Sequence, residues 1–170
     1  MGLQKKFRSL NEYKDIGLAI SEADNVVSID VASQNINKLP GDFKKLKYVV
    51  SVNLLGNKFE SLPIVLTELR QIEEISLSSN QLKYVGQEIG RLTNLRILIM
   101  NNNQLKSLPK ELGQLDNLLY LELSNNKLTS LPDEVKNLTK LQELHIERNQ
   151  LTESEKQRIK KSLPNCVIHF

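Results

Sequence analysis

Few residues in this chain carry groups from which chemistry is made. There are two histidines, His145 and His169, and a single cysteine, Cys166. Glu143 and Glu147 flank His145 at alternating positions, which on a strand puts all three on one face. Imidazoles and carboxylates in such a set are the donors that hold zinc, or the groups that change charge near neutral pH. On the repeat frame of the chain, His145 and His169 fall two columns apart on neighbouring strands, roughly 7–8 Å from each other, and it is Glu147 that neighbours His169. An open strand face supplies no enclosing shell, so no metal and no cofactor is expected. Cys166 falls at a core position, where a thiol is inert, and one cysteine makes no intramolecular disulfide. No glycine-rich phosphate loop is present, and the carboxylate pairs are those any acidic surface offers. No catalytic residue and no enzymatic activity are therefore expected.

The elements that position these residues follow from a repeat. In residues 118–132 the apolar residues Leu118, Leu121, Leu123, Leu128 and Leu131 stand at positions 1, 4, 6, 11 and 14, with Asn126 at position 9 and Pro132 at position 15. Positions 4 and 6 alternate as on a strand, and the later ones come only after a bend. The frame recurs every 23 residues. Position 1 is Val26, Val49, Ile72, Leu95, Leu118 and Leu141, and position 9 is Gln34 and then Asn57, Asn80, Asn103, Asn126 and Asn149. Four of the five prolines occupy position 15, and Gly86 replaces it in the third copy. A unit of this length fits one strand plus a return long enough for a parallel crossover. The asparagine amide offers a donor and an acceptor, so a stacked column of them can satisfy backbone groups buried in the bends. The returns read as short helical or 3₁₀ pieces, with Pro132 at the first position, acids Asp133 and Glu134 at the positive end, and Gly90 and Gly113 closing the turn in their copies.

This pattern, L-x-x-L-x-L-x-x-N-x-L-x-x-L-P-x-x-[IVL]-x-x-L, resembles the leucine-rich repeat, and with its closing segment at 155–170 the chain is similar to short bacterial proteins of that family. The resemblance implies an α/β solenoid: a right-handed coil with a parallel sheet on the concave face, short helical or 3₁₀ returns on the convex face, a helical N-terminal cap and a helix–strand C-terminal cap. A single domain over 1–170 is expected, with the N-terminal cap at 1–24, six repeats at 25–151 and the C-terminal cap at 152–170.

The ends must cover an exposed core. Ser9 and Glu12 read as a capping box, and Phe7, Leu10, Tyr13, Ile16 and Ile20 keep helical spacing, so a helix over about 10–20 is expected. Thr152 and Glu155 read as a second box, opening a helix with acids first and Lys160 and Lys161 last. Leu163, Cys166 and Ile168 then fall at positions 1, 4 and 6 of a seventh strand.

Function must come from the positions the frame leaves free. Those facing the inner curve carry five acids, Asp30, Glu74, Glu122, Glu143 and Glu147, against one arginine, Arg148, in a chain of net charge +3. Apolar residues gather mid-sheet at Ile97, Ile99 and Tyr120, with Leu55 two strands away. An apolar centre in a polar rim is the anatomy of a protein-binding surface. The expected function is a non-enzymatic protein–protein interaction module that binds a partner, its surface basic, through Leu55, Glu74, Ile97, Ile99, Tyr120, Glu122, Glu143 and His145. An alternative is a bacterial surface or secreted adhesin that takes host proteins or anionic glycans on a basic outer face around Lys156, Arg158, Lys160 and Lys161. A second alternative is an assembly module that associates weakly through the edge strand at 163–170. A small apolar patch at Ile64, Val65 and Tyr84 lies outside the curve.

Composition narrows the rest. With 39% apolar residues, 5% aromatic and no tryptophan, the core must be Leu, Ile and Val. No apolar run reaches the length of a membrane span, the lysines Lys5 and Lys6 have no apolar stretch behind them, so no signal peptide is expected in these residues, and no aromatic interleaving for nucleic acid accompanies the lysines. Compartment is left open.

Overall fold

The computed structural model describes residues 12–170. Among these residues eight strands form one open parallel sheet in sequence order: β1 (Glu12–Tyr13), β2 (Ser28–Asp30), β3 (Ser51–Asn53), β4 (Glu74–Ser76), β5 (Ile97–Ile99), β6 (Tyr120–Glu122), β7 (Glu143–His145) and β8 (Val167–His169). From β2 to β7 the register advances by one repeat per strand, as in Leu98 opposite Leu121 opposite Leu144. The sheet does not close into a barrel. Position 4 of each strand points inward and is fully buried, from Ile29 to Leu144. Among the described residues no helix is long and apolar enough to cross a membrane.

Each return is a five-residue 3₁₀ helix: Gly41–Lys45, Ile64–Glu68, Gln87–Arg91, Lys110–Gln114 and Asp133–Asn137. The prolines, and Gly86 in their place, stand just before the first helical residue in extended conformation. Their carbonyls accept the first N–H of the turn, as Pro132 does from Val135 at 3.1 Å. One residue per return fills the core between sheet and convex side: Phe43, Leu66, Ile89, Leu112 and Val135 are fully buried. Gly90 and Gly113 lie within their 3₁₀ turns rather than ending them, and the returns crowd one another most closely there.

The asparagine column has the role its chemistry suggests. Asn103 accepts the Leu82 N–H at 2.9 Å on Oδ1 and donates through Nδ2 to the carbonyls of Leu77, Met100 and Asn101 at 2.9–3.1 Å. Asn57, Asn80, Asn126 and Asn149 repeat that set. Gln34, longer by one methylene, instead donates to the Lys14 carbonyl at 2.6 Å. A second polar ladder runs along the opposite rim: Gln71, Asn94 and Asn117 each donate to a carbonyl one coil earlier.

Between strand and asparagine lies a corner that sequence reasoning treated as plain outward surface. Position 8 is left-handed in every copy: Ser33, Gly56, Ser79, Asn102, Asn125 and Arg148 have φ between 54° and 67°. The second copy uses glycine there. For other L-residues this region costs about 1–2 kcal/mol, against about 0.5–1 kcal/mol for the extra chain entropy of glycine. Ser79→Gly is therefore expected to stabilise the fold by about 0.5–1 kcal/mol, read as a higher urea midpoint. A lower midpoint would refute the corner strain.

The N-terminal cap departs from expectation. Glu12 and Tyr13 pair with Ser28 and Ile29 as strand β1, so the helical spacing does not continue through them. Helix α1 runs Ile16–Ser21, with Asp15 as N-cap accepting the Leu18 N–H at 2.7 Å. Phe7, Ser9 and Leu10, which belong to the expected apolar stripe, capping box and helix start, lie outside the described residues. At the other end, α2 spans Glu153–Ser162 and the Thr152 hydroxyl accepts the Glu155 N–H at 3.2 Å. The Glu155 carboxylate does not return to Thr152. It accepts the Leu131 N–H at 2.9 Å and holds Arg158, which ties the cap to the fifth coil.

The last strand also differs. Ile168 pairs with Leu144 and His169 with His145. Ile168 thus stands at position 4 rather than 6, and the strand begins two residues later than the 163–166–168 reading. Leu163 instead is the C-cap of α2, with its N–H donating to the Ile159 carbonyl, and is buried there.

Candidate functional site

The inner face of the sheet divides into two parts. Toward the N-terminal end its floor is small and closed, with Ser28, Ser51, Ser76 and Ser78 all buried. The Ser51 and Ser78 hydroxyls have no hydrogen-bond partner among the described residues. Mid-sheet, Ile97 lies between Glu74 and Tyr120 in register, as expected. The isoleucines are not an exposed apolar centre, however: Ile97 is 7% and Ile99 1% exposed. Both lie in rows where neighbours stand about 4.8 Å away on either side, and the inward curve of the sheet brings those side chains over them. Leu55 and Tyr120 are half-buried, and the Tyr120 hydroxyl donates to Gln142 Oε1 at 3.0 Å.

Toward the C-terminal end the face becomes a linked polar array. Asn101 donates to Glu122 at 2.5 Å and accepts the Ser124 N–H at 2.7 Å. The Ser124 hydroxyl donates to Glu147 at 2.5 Å. His145 stands between Glu143, at 3.3 Å from Nε2, and Glu147, at 3.6 Å from Nδ1. Partial burial raises the Glu147 carboxyl, but the hydrogen bond from Ser124, with its own N–H and His145, holds it below the usual carboxylate range. Glu122, Glu143, Glu147 and His145 are thus brought together on two adjacent coils, at β6 and at or just after β7, while Glu74 stands apart on β4. Asp30, also apart, accepts the Ala32 N–H of its own strand end.

His169 joins this corner, in register with His145 rather than beside Glu147 as expected. It stacks face to face on His145, with ring centroids 4.2 Å apart, in place of the expected separation of 7–8 Å. Cys166 is displaced from the core by the same shift and is only half-buried. Burial, and secondarily Glu143, push its thiol up to about 11, which leaves it protonated and a poor nucleophile at neutral pH.

The outer surface offers less than its composition suggests. Arg158 is bonded to Glu155, Asp133 and the Leu131 carbonyl, Lys156 pairs with Glu153 at 2.6 Å, and both Lys156 and Lys160 lie over the Phe170 ring. The basic cluster is thus largely engaged within the cap. Elsewhere, Ile64 and Tyr84 are exposed, at 62% and 61%, whereas Val65 is buried. They border an open groove of about 950 Å³ that also includes Leu39 and Lys44.

Comparisons with known proteins agree with this architecture. A family model described as a leucine-rich repeat region matches residues 74–161, just over half of the chain. A leucine-rich-repeat protein of Leptospira interrogans is similar in structure, with a TM-score of 0.83 and 36% identity, over 89% of this chain and 38% of that one. The plant peptide hormone receptor RGFR1, solved in complex with RGF2, is similar with a TM-score of 0.65 and 28% identity, over 75% of this chain and 21% of the receptor. The chain therefore spans well under two thirds of either protein. No curated protein sequence matches it.

Proposed function

The chain belongs to the leucine-rich-repeat family, and from that premise we propose that it is a non-enzymatic module that binds a partner protein through its inner strand face. Folds of this family commonly mediate protein–protein interaction and typically act as non-enzymatic scaffolds. The observation that carries the reading for this chain is the array of fixed carboxylates. Glu122 and Glu147 are held by Asn101 and Ser124, and Glu143 lies diagonally across the β6–β7 pair from Glu122, in register with Tyr120. Pre-oriented acids lose little entropy on binding and steer a basic surface toward the face. Tyr120 supplies the aromatic anchor beside them, and Leu55 and Glu74 extend the contact toward the N-terminal strands. Ile97 and Ile99 form the floor beneath the partner, and His145 closes the C-terminal end. No nucleic acid is expected as partner.

Selection of a displayed random peptide library on the whole chain tests this reading. The enriched peptides are expected to be rich in Lys and Arg. Glu122→Lys and Tyr120→Ala should each weaken their binding at least tenfold, roughly 1.4 kcal/mol or more. Peptides that bind both variants as well as the parent would refute the face assignment. Ile97→Asp is a poor probe here, since it would bury a carboxylate and unfold the sheet.

A further inference from the structure

The C-terminal corner of the inner face holds groups unlike those of the other strands. Glu143, His145 and His169 bring three donor atoms within 4.8 Å of one another. Cross-strand pairing fixes the two histidines side by side, and Glu143 shares their face because it lies two residues before His145. His145 Nε2 is 3.3 Å from Glu143 Oε2. That separation matches the edge of a zinc tetrahedron, about 3.3 Å for bonds of about 2.0–2.1 Å. The other ring nitrogen, Nδ1, faces Glu147 Oε1 at 3.6 Å, and Ser124 anchors the second Glu147 oxygen. A carboxylate behind an imidazole fixes its tautomer and makes the far nitrogen a better ligand.

We propose that Glu143, His145 and His169 form a binding site for a divalent transition-metal ion of the zinc class, with Glu147 as the supporting carboxylate. The ion takes His145 Nε2, one His169 nitrogen and one Glu143 oxygen, and its fourth position stays open to water or to a donor from another molecule. Two imidazoles and one carboxylate select zinc over magnesium or calcium, which prefer all-oxygen shells. The rings stack with their planes 8° apart, so their in-plane lone pairs run side by side. Binding turns the rings about χ2, a soft torsion for histidine, until the lone pairs converge. The backbone has no such adjustment to make, because both strands are paired in register. The absence of a metal expected from sequence rested on the open strand face; what the two-residue shift of β8 changes is the separation of the two imidazoles, which stand in direct stacking contact. The site does not depend on any partner protein.

The test is a calorimetric titration of the whole chain, freed of metal by a chelator, with zinc chloride. One equivalent per chain is expected to bind. His145→Ala and His169→Ala should each weaken binding by roughly tenfold or more, and Glu147→Gln by about tenfold. Cys166→Ser should leave it unchanged, and magnesium chloride should give no saturable binding. Because the chain has only two histidines, their imidazole NMR signals provide a readout independent of variant folding, and both should move as the first equivalent is added. Absence of saturable binding, zinc binding that survives in the His145→Ala/His169→Ala double variant, its loss in Cys166→Ser, or movement of fewer than both imidazoles would overturn the site.

Discussion

Replacing Asn103 with alanine is expected to lower the unfolding free energy by about 3–4 kcal/mol. The side chain is buried and makes four hydrogen bonds to backbone groups of two successive coils. Alanine leaves the Leu82 N–H without an acceptor, and the carbonyls of Leu77, Met100 and Asn101 lose a donor, in a place water does not reach. A buried group left without its partner costs about 1–3 kcal/mol, and the carbonyls, which have other lone pairs to use, lie at the low end. Asn94→Ala is the control. Its amide bonds one carbonyl, that of Arg70, from an exposed position, and its loss should cost less than about 1 kcal/mol. Urea unfolding at fixed temperature measures both. A loss for Asn103→Ala no larger than for Asn94→Ala would mean that the column decorates the turns without holding them.

Gly113→Ala is expected to be nearly as damaging, for a steric reason. A Cβ built on Gly113 would stand 2.5 Å from the Glu134 carbonyl oxygen and 2.6 Å from its Cβ. Those atoms belong to the next return and cannot swing away, so the coils must part. Overpacking of this kind costs about 1–3 kcal/mol, and obstruction by backbone puts the expectation near 3 kcal/mol, roughly 6–12 °C in Tm. Gly90 is the same position one coil earlier, and there the main obstacle is the end of the Gln114 side chain. That amide can move, leaving only a tight 3.1 Å approach to Glu111 Cβ. Gly90→Ala should therefore cost less than about 1 kcal/mol. Thermal melts of the two variants decide the matter, and equal losses would show that the backbone obstacle is not what matters.

The frame was legible in the sequence because core, bend and return each demand a particular residue type at a particular spacing. Aliphatic residues or Met at positions 4 and 6, Asn or Gln at 9 and Pro or Gly at 15 placed each strand from β2 to β7 and each return. What escaped was whatever keeps the pattern intact while changing the geometry. A slip of two residues in β8 leaves the same side chains on the same face, so Cys166 and Ile168 read equally well in either register. The choice between them fell to Leu163, which looks like a strand start and is in fact the end of α2. That one ambiguity separated His145 from His169 on paper. The burial of Ile97 and Ile99 was hidden for a different reason. Their positions face outward in every copy, and only the residues on either side, Glu74 and Tyr120 or Ser76 and Glu122, decide whether outward means exposed. The left-handed corner left no trace either, because Ser, Asn and Arg stand there as well as Gly.

The asparagine ladder is directional. Each Oδ1 accepts from the coil before its own, as Asn126 does from Leu105 and Asn149 from Leu128, so a bend is closed by residues that follow it by about one repeat. A chain emerging from the ribosome meets this as a delay. The bend after β5 has its apolar residues as soon as Leu105 is out, yet its backbone stays unsatisfied until Asn126 has been made. Folding during synthesis should therefore trail elongation by one coil throughout. A pause or truncation within any repeat strands the bend just before it, while those further upstream are already sealed.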